Sequence, residues 1–411
     1  MKRGIRLNNK AGTKHTFCFP PCPVYDIEGT ESWLGSMAAE NGLFLRDFFM
    51  GFAVFEKGAP RSVRYRLQAA SASTSMWSDS GGEPQEDAVE LSRTYGWDYL
   101  CKRWQFYVYS CSNPDARELD TDSQVQALAL DFVRKREHGN LISTLFWLIL
   151  YPIFFLSRQL LLTAIGIGTW LFLLGTVLAL WGGYSSLSSA LHLRKLHRQL
   201  KAGIPLNHKK DWKHRALLYR LDLPCFLVLF GIWLGFVCYG SYQEHTGADK
   251  IPLQEYIASL PFATMEDLRP DGRFSYDDSL RISNRVKVKS DWLAPTVIEL
   301  SQNGEITLPD GKILQGGITV SYYRAVSPTL ASRIFEELLT RDRHTEYYEE
   351  ISPSVIPPAG IEQFAVYSRI FPTLLLRKGE QVLYVSFYQT SPNYTMPLNE
   401  AVCVFADSLK G

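Results

Sequence analysis

One histidine and two cysteines near the start of the chain are the residues best placed to bind a metal ion. They are His15, Cys18 and Cys22. A structural zinc site needs a closed tetrahedral set of ligands, and no second Cys or His pair follows with the usual spacing. Zinc binding and ordinary buried thiols are the two interpretations, and the missing fourth ligand favours the thiols. We therefore predict no metal site and no cofactor site.

Acid–base catalysis would need a histidine beside a nucleophile or a pair of working carboxylates, and the C-terminal half offers little of either. Beyond residue 242 the histidines are His245 and His344, and neither Gly-x-Ser-x-Gly nor His-Glu-x-x-His occurs there. Carboxylate pairs occur at Glu336–Glu337 and Glu349–Glu350, but neighbouring acids are typical of a solvated helix or loop. We therefore predict no catalytic residue and a protein that is not an enzyme.

Three long apolar runs in the middle of the chain predict helices that cross a membrane. The hydrocarbon core is roughly 30 Å thick, and a helix needs about 20 mainly apolar residues to span it. The runs are 141–157, 160–184 and 223–240. The first is short and contains Pro152, so a re-entrant or interfacial segment is the alternative for it. Gly166, Gly168 and Gly175 lie inside the second run and predict close helix packing, and this context excludes a phosphate loop at Gly166-Ile-Gly168.

Basic residues between the second and third runs predict which side of the membrane each end occupies. Segment 185–222 holds many Lys and Arg residues and only two acids, as is typical of a cytoplasmic loop. Arg134–Arg136 before the first run agrees. With three crossings, residues 1–138 are cytoplasmic and 243–411 extracytoplasmic, with the membrane region at 139–242. The alternatives for the basic loop are lipid headgroups and nucleic acid, of which we expect no direct nucleic-acid partner. Its basic residues are Arg194, Lys195, Arg198, Lys201, Lys209, Lys210, Lys213, Arg215 and Arg220.

Composition excludes several classes of protein. The formal net charge is +1, which gives no hint of a strongly charged partner. Of the seven cysteines, only Cys403 belongs to the predicted outer domain, so no disulfide framework is expected there. Met1–Lys14 has no apolar core, which argues against a cleavable signal peptide. The apolar runs hold essentially no ionisable side chain, which disfavours an ion or proton transporter.

The N-terminal third contains a repeated unit with an offset of 54 positions. In each copy an amphipathic segment ends at a glycine, Gly42 or Gly96, which can supply the left-handed cap of a helix. Alternating aromatic residues follow and predict a β-hairpin. Arg64–Leu67 supplies another strand, and either His15–Phe19 or Val24–Tyr25 supplies one more. The prediction is a small α+β domain with helices packed on one face of an antiparallel sheet.

The same region carries a set of Trp-Leu, Ala-Ala, Gly and Gly-Trp positions in a fixed order. These are Glu31-Ser-Trp33-Leu34, Met37-Ala-Ala39, Asn41-Gly42-Leu43, Tyr65-Arg66-Leu67 and Gly96-Trp97. Together they resemble the DUF2812 domain, over about the first 140 residues and on into a charged helix, Ser123–Glu137. The resemblance implies a bacterial, mainly Bacillota, membrane protein of unknown function and supplies no catalytic residue. Family members are often encoded beside PadR-like transcriptional regulators, which implies a cytoplasmic regulatory partner. The Ser/Gly-rich insert Ala70–Pro84 departs from the commoner family pattern.

The region after residue 242 predicts a second α+β domain. Strands are expected at 318–323, 364–370, 373–377 and 381–388, and helices at 251–263, 327–339 and 398–409. Ser327 and Pro328 suit the cap and the first turn of a helix. Residues 269–291 are expected to form a charged connection. The strand tyrosines could line a ligand pocket, although core packing is the simpler interpretation; they are Tyr322, Tyr323, Tyr367, Tyr384 and Tyr388.

The arrangement favours a membrane-anchored sensor or regulator, because two folded domains on opposite sides of a membrane invite coupling across it. The expected partners are the lipid bilayer, a cytoplasmic regulatory protein and an extracytoplasmic ligand. The alternative from another class is a constitutive envelope-associated scaffold that binds a protein or wall component without signalling. A sensor predicts a concave pocket with a few polar groups, whereas a scaffold predicts a broad exposed apolar patch.

Overall fold

The structure is a computed structural model that divides the chain into two compact units. The first unit holds residues 1–148 and 178–230, and the second holds 149–177 and 231–411. The chain therefore passes three times from one unit to the other. The structure describes residues 15–70, 83–119, 122–153, 159–213, 216–277, 284–345, 347–351, 359–389 and 398–409. The start of the chain, most of the Ser/Gly-rich insert and positions 154–158 of the first apolar run lie outside the described residues.

The folded part of the first unit is built from two copies of a helix followed by a hairpin. The elements are β1 His15–Cys18, α1 Ile27–Asn41, β2 Leu43–Phe49, β3 Phe52–Lys57, β4 Arg64–Ala69, α2 Glu86–Thr94, β5 Asp98–Arg103 and β6 Phe106–Cys111. Gly42 (φ 62°) and Gly96 (φ 85°) follow the two helices in the left-handed conformation, so the predicted caps are confirmed.

The predicted single sheet is two three-stranded antiparallel sheets, with orders β1-β3-β2 and β4-β6-β5. The reason is visible in the two strands that end these sheets. β2 is irregular between Leu45 and Asp47, and β5 is irregular between Tyr99 and Cys101, which are equivalent positions of the repeat. A bulge twists an edge strand and stops further pairing. The two edges therefore contact each other through side chains without joining into one ladder.

Contacts with α1 fix the direction of the strands. The backbone N–H of Leu67 on β4 donates to Glu31 near the start of α1, and the N–H of Leu45 on β2 donates to the hydroxyl of Tyr65 on β4. Both β2 and β4 therefore run toward the N-terminal end of α1. β5 is two antiparallel steps from β4 and runs the same way. The turns of the two hairpins, at 50–51 and 104–105, therefore lie at the same end of the unit.

The second unit is a nine-stranded sheet with helices on both faces. Its elements are β7 Ile251–Pro252, α7 Leu253–Tyr256, a 3₁₀ turn Ile257–Ser259, α8 Met265–Leu268, β8 Arg273–Tyr276, β9 Arg285–Lys289, β10 Thr296–Thr307, β11 Ile313–Arg324, α9 Pro328–Arg343, β12 Glu349–Glu350, β13 Gln363–Ser368, β14 Pro372–Lys378, β15 Gln381–Gln389 and α10 Leu398–Ser408. The order is β12-β13-β14-β15-β11-β10-β9-β7, with β8 paired to β10. Leu374 and Leu376 pack with α10, whereas Leu375 packs with α9 on the opposite face.

From residue 313 onward the predicted strand, helix, three strands and helix are all present in that order, with one unpredicted two-residue strand, β12, between α9 and β13. Two predictions nearer the membrane region hold only in part. The helix expected at 251–263 is the two-residue strand β7 followed by the one-turn helix α7 and a 3₁₀ turn, and the connection expected at 269–291 contains β8 and β9. The sequence did not predict β9 because its charged residues suggested an exposed connection, whereas Lys287 is buried and paired with Asp249.

Four helices fill the middle of the chain: α3 Ser123–Tyr151, α4 Leu160–Ile167, α5 Thr169–Lys201 and α6 Ala216–Thr246. Two of them are long and apolar enough to cross a membrane, α5 and the part of α6 from Leu218 to Thr246. The third predicted run lies inside α6 as expected. Among the described residues the number of such helices is two and not three. The predicted basic loop at 185–222 is also shorter, because α5 continues to Lys201 and α6 begins at Ala216.

The second predicted span, 160–184, is broken at Gly168, where φ is 102°, and only its part from Thr169 onward lies in a candidate membrane helix, α5. The eight residues before Gly168 form α4, which packs on α9 of the second unit. A carboxylate of α9, on Glu337, accepts the backbone N–H groups of Leu161 and Leu162 at 3.1 and 3.0 Å. Ile165 is buried in the same cluster as α9. The first turn of a helix has unpaired N–H groups, and Glu337 satisfies two of them.

Candidate functional site

The first unit contains a cleft of 40 Å³, which has room for about three water molecules. It is lined mainly by apolar residues of α1, β4, α3 and the end of α5. Four titratable side chains converge on it, and these are Glu31, Arg66, Glu118 and His208. The cleft is therefore a small polar site inside an otherwise apolar core.

Glu31 is the centre of this site and its most deeply buried charged group. Only 1% of its side chain is exposed. Its Oε1 accepts the backbone N–H of Leu67 at 2.7 Å, and its Oε2 lies 2.6 Å from His208 Nδ1 and 3.8 Å from Arg66 Nη1. Burial raises the pKa of Glu31, and the hydrogen bonds from His208 and Leu67 and the charge of Arg66 oppose that rise. The carboxyl group thus ties a helix, a strand and a distant segment together.

Arg66 is oriented by a second carboxylate. Its Nε and Nη2 donate to the two oxygens of Glu118 at 2.6 and 2.8 Å, which is the bidentate geometry that guanidinium groups favour. The guanidinium carbon also lies 5.6 Å from the ring centroid of Trp97. Burial raises the pKa of Glu118, but the hydrogen bond and charge of Arg66, the charge of His208 and the N–H of Leu119 together outweigh burial and lower the pKa overall. Arg66 is therefore held in one position between two acids.

The segment 202–213, which joins α5 to α6 and which we call the strap, is docked on the acidic N-terminal half of α1. Lys210 Nζ lies 2.8 Å from Asp26 Oδ1, and the backbone N–H of Asn207 donates to Glu28 at 2.7 Å. His208 reaches Glu31 in the same stretch. Acids near the start of a helix are stabilised by its dipole and attract cations. The basic residues of the strap therefore indicate more than the orientation of the chain in the membrane, because they also form specific ion pairs with acids at α1.

The local sequence of α1 explains why its acids are positioned so well. Asp26 accepts the N–H of Gly29 at 2.9 Å and caps the helix. Gly29 allows the cap and Cys22 to pack closely, since a Cβ there would lie 2.7 Å from the Asp26 carboxylate and 2.9 Å from Cys22 Sγ. Trp33 and Leu34 bury the other face of the helix. The complementary charges of 26–31 and 207–213 were visible in the sequence, but their pairing was not predicted.

The chemistry this arrangement can perform is docking and proton exchange. Each of the four titratable groups of the cleft engages another, and the 2.6 Å contact between Glu31 and His208 allows a proton to move between them. The sequence-predicted ligands do not gather in the same way. His15 contacts Arg46 at the surface, while Cys22 is buried and its pKa is raised to about 12, mainly by burial. Among the described residues, no three His, Cys, Asp or Glu side chains group as a metal site would require.

Both ends of α5 are fixed, each within its own unit. At the start, Asp291 of the second unit accepts from the backbone N–H of Thr169 at 2.7 Å and from its hydroxyl at 2.6 Å. Toward the end of the helix, Leu193, Leu196 and Leu200 are buried in the same core as α1 and β4. One 33-residue helix therefore begins in the structure of the second unit and ends in the core of the first.

The carboxylate pairs of the second unit have different roles. Glu349 and Glu350 are exposed on β12, whereas Glu337 caps α4 and was wrongly assigned to a solvated face. Of the two histidines, His344 contacts a backbone oxygen at the end of α9 and His245 lies near the end of α6.

A buried carboxylate that the sequence did not single out, Asp342, accepts from the hydroxyls of Tyr367 and Tyr384 at 2.8 and 3.0 Å. Arg341 and Arg369 complete this network. The described partners of Tyr367 and Tyr384 are core groups, as the simpler interpretation predicted, and Tyr322 is buried in the core cluster beside α10.

The predicted helix packing at the glycines is confirmed at one position and wrong at two. A Cβ at Gly175 would lie 2.8 Å from the Trp233 indole nitrogen, and that nitrogen donates to Leu171 O at 3.1 Å, so α5 and α6 approach closely there. A Cβ at Gly166 would meet no atom of another described segment within 4 Å, and Gly168 forms the bend between α4 and α5.

Residues 26–136 match the family DUF2812, described as a protein of unknown function. The match covers α1 through β6 and the first part of α3, and it includes Glu31 on α1, Arg66 on β4 and Glu118 in the segment between β6 and α3. Comparison with curated proteins and with solved structures gives no match.

Proposed function

We propose that this DUF2812 domain-containing protein is a membrane-anchored sensor or regulator in which α5 transmits a change in the second unit to the strap and the cleft of the first. The observation that carries the proposal is that the two ends of α5 are held by different units. Asp291 caps its start, and Leu193, Leu196 and Leu200 anchor its end. A helix of 33 residues is about 50 Å long and resists compression, so a shift at one end moves the other.

We propose three membrane crossings, made by the end of α3, by α5 and by α6. The support is that the chain changes unit three times and that α3 carries exposed apolar side chains beyond Leu141. Apolar surface of this size is costly in water and is suited to lipid. The basic strap favours a cytoplasmic first unit by the positive-inside rule, which leaves the second unit extracytoplasmic.

The proposed output is a contact between the first unit and a cytoplasmic regulatory protein, such as a PadR-type regulator. The strap is suited to control that contact, because it is held mainly by ion pairs and hydrogen bonds with α1. His208 contacts the buried Glu31, whereas the pairs of Lys210 and Lys213 are more open to solvent, and exposed pairs contribute only about 0.2–1 kcal/mol each. A small movement of the end of α5, which leads directly into the strap, is therefore enough to release the part of the strap that carries these two lysines.

The test compares two carboxylates of the second unit in full-length protein reconstituted in nanodiscs. Asp291→Asn removes the charge that caps α5, whereas Asp310→Asn changes an exposed turn residue that contacts only its own loop, at Lys312. Hydrogen exchange is measured over 193–213. We expect several-fold faster exchange there for Asp291→Asn and no change for Asp310→Asn, while β10 and β11 stay protected in both.

Two outcomes would contradict the proposal. If Asp291→Asn leaves exchange over 193–213 at the wild-type rate, α5 does not couple the units, and a constitutive scaffold explains the protein better. If full-length protein retains no cytoplasmic protein in a pull-down, either as wild type or with Asp291→Asn, the proposed output is wrong even when the coupling is present.

A further inference from the structure

The turns of the two hairpins in the first unit expose large apolar side chains. Met50, in the turn between β2 and β3, is 81% exposed, and Phe49, the last residue of β2, is 60% exposed. Trp104, in the turn between β5 and β6, is 66% exposed. Met50 and Trp104 occupy equivalent positions of the 54-residue repeat. An apolar residue of this size is costly to leave in water, and both copies of the repeat keep one at the same place.

The backbone at these positions makes the choice of residue more informative. Met50 (φ 47°) and Trp104 (φ 54°) are two of three non-glycine residues with positive φ in the described part of the chain. Glycine or asparagine adopts this conformation with less strain, and bulky side chains rarely do. Folding alone would therefore favour small or polar residues at both turns. Strained positions that persist are often functional.

Both turns lie at the end of the unit where the long helices leave it. A Cβ at Gly51 would lie 3.7 Å from a methyl group of Leu223, the residue at which the apolar part of α6 begins. The Arg103 guanidinium lies 5.3 Å from the ring of Phe48, which places the second turn beside the first. Burial and the nearby Arg136 of α3 lower the pKa of Lys102, so α3 also passes close to this end, five residues before Leu141.

We propose that the two turns form a membrane-facing surface that inserts Met50 and Trp104 into the interface of the adjacent leaflet, among anionic lipid headgroups. Large apolar side chains, tryptophan above all, are favoured at the headgroup level of a bilayer. Lys102, Arg136 and Arg220 lie at the same end, and basic residues at this depth attract anionic lipid. The surface would hold the first unit against the membrane and fix the level at which α6 leaves it.

The test places a photo-crosslinking residue, p-benzoylphenylalanine, at position 50, 104 or 128 of the full-length protein. The protein is reconstituted in nanodiscs of phosphatidylcholine, with or without phosphatidylglycerol, and lipid adducts are measured by mass spectrometry. Leu128 is the matched control, because it is 79% exposed and apolar but lies on α3 about 20 Å from Leu141 at the helical rise of 1.5 Å per residue. Unchanged melting temperatures confirm that each variant is folded.

We expect lipid adducts at positions 50 and 104 several-fold above those at 128, with a larger yield in nanodiscs that contain phosphatidylglycerol. Adduct yields at 50 and 104 no higher than at 128 would overturn the proposal. Adducts to protein in place of lipid would do the same and would identify the turns as a protein-binding surface. Equal yields in both lipid mixtures would overturn the preference for anionic headgroups.

Discussion

Replacing Glu31 tests whether the buried carboxylate holds the first unit and the strap together. Glu31→Ala leaves the buried N–H of Leu67 without an acceptor and removes the carboxylate that His208 contacts. An unpaired buried donor costs about 1–3 kcal/mol, and breaking a buried ion pair costs about 3–5 kcal/mol. His208 is 29% exposed and Arg66 keeps Glu118, so the penalty for the pair lies at the low end. We expect a loss of about 3 kcal/mol, the low end of the range for breaking a buried pair.

The assay is thermal unfolding of the full-length protein in nanodiscs, followed by limited trypsin digestion at the strap. For a unit of roughly 200 residues, 1 kcal/mol shifts the melting temperature by about 2–4 °C, so Glu31→Ala should lower it by about 6–12 °C. Cleavage at Lys209 and Lys210 should accelerate. Glu40→Ala is the matched control on α1, since Glu40 is exposed and lies 4.0 Å from Lys213, and it should change stability by less than about 0.5 kcal/mol.

Glu31→Gln separates the hydrogen bond from the charge. Glutamine keeps an acceptor for Leu67 and loses the negative charge. Burial raises the folded-state pKa of Glu31, so its stabilising contribution is fully present below the unfolded pKa and is lost as pH rises through the folded pKa. The melting temperature of Glu31→Gln relative to wild type should therefore increase from pH 5 to pH 8. If Glu31→Ala and Glu31→Gln melt within a degree or two of each other, the reasoning about the buried acceptor is refuted.

Three further predictions concern other parts of the chain. Hydrogen-bonded ion pairs with Lys135 and Arg134 hold the pKa of Asp131 at about 2. Asp131→Asn should therefore remove under about 1 kcal/mol of stability, because the side chain is partly open to solvent. In melting experiments this difference should be present at neutral pH and vanish as the pH falls to about 2. Gly42 and Gly203 both have positive φ, but only a Cβ at position 42 would collide with a backbone carbonyl. The loss of unfolding free energy, measured by denaturant titration, should therefore be several times larger for Gly42→Ala than the roughly 1 kcal/mol expected of Gly203→Ala. Cys403 is exposed on α10, so a membrane-impermeant maleimide should label it in intact cells, and labelling that requires permeabilisation would contradict the proposed topology.

The elements of the first unit were largely predictable because their signals are local. Apolar periodicity, the glycines after each helix and the aromatic alternation of the hairpins all act within a few residues. The helix after Ser327 was predictable for the same reason, since a cap and a proline mark its start. The division into two sheets was not predictable, because bulges near Leu45 and Tyr99 depend on how two edge strands meet.

The candidate site was only partly visible in the sequence. Glu31 and Arg66 belong to the motifs that resemble DUF2812, whereas nothing in the sequence singled out Glu118 or His208. Glu31 and His208 are 177 positions apart, so no local pattern could pair them. The same holds for Glu337, which caps α4 across 175 or 176 positions.

The sequence by itself determined most of the helices and strands, that apolar helices exist in the middle of the chain, and that residues 26–136 match the DUF2812 family. These properties follow from the spacing of apolar side chains, the composition and the order of the residues, all of which are present in the chain before it folds. Only the tertiary structure decided where a continuous apolar run bends and which charges become buried partners. A bend at Gly168 is stabilised by a carboxylate from a distant helix, and the burial that raises the pKa of Glu31 exists only after three separate segments have packed around it.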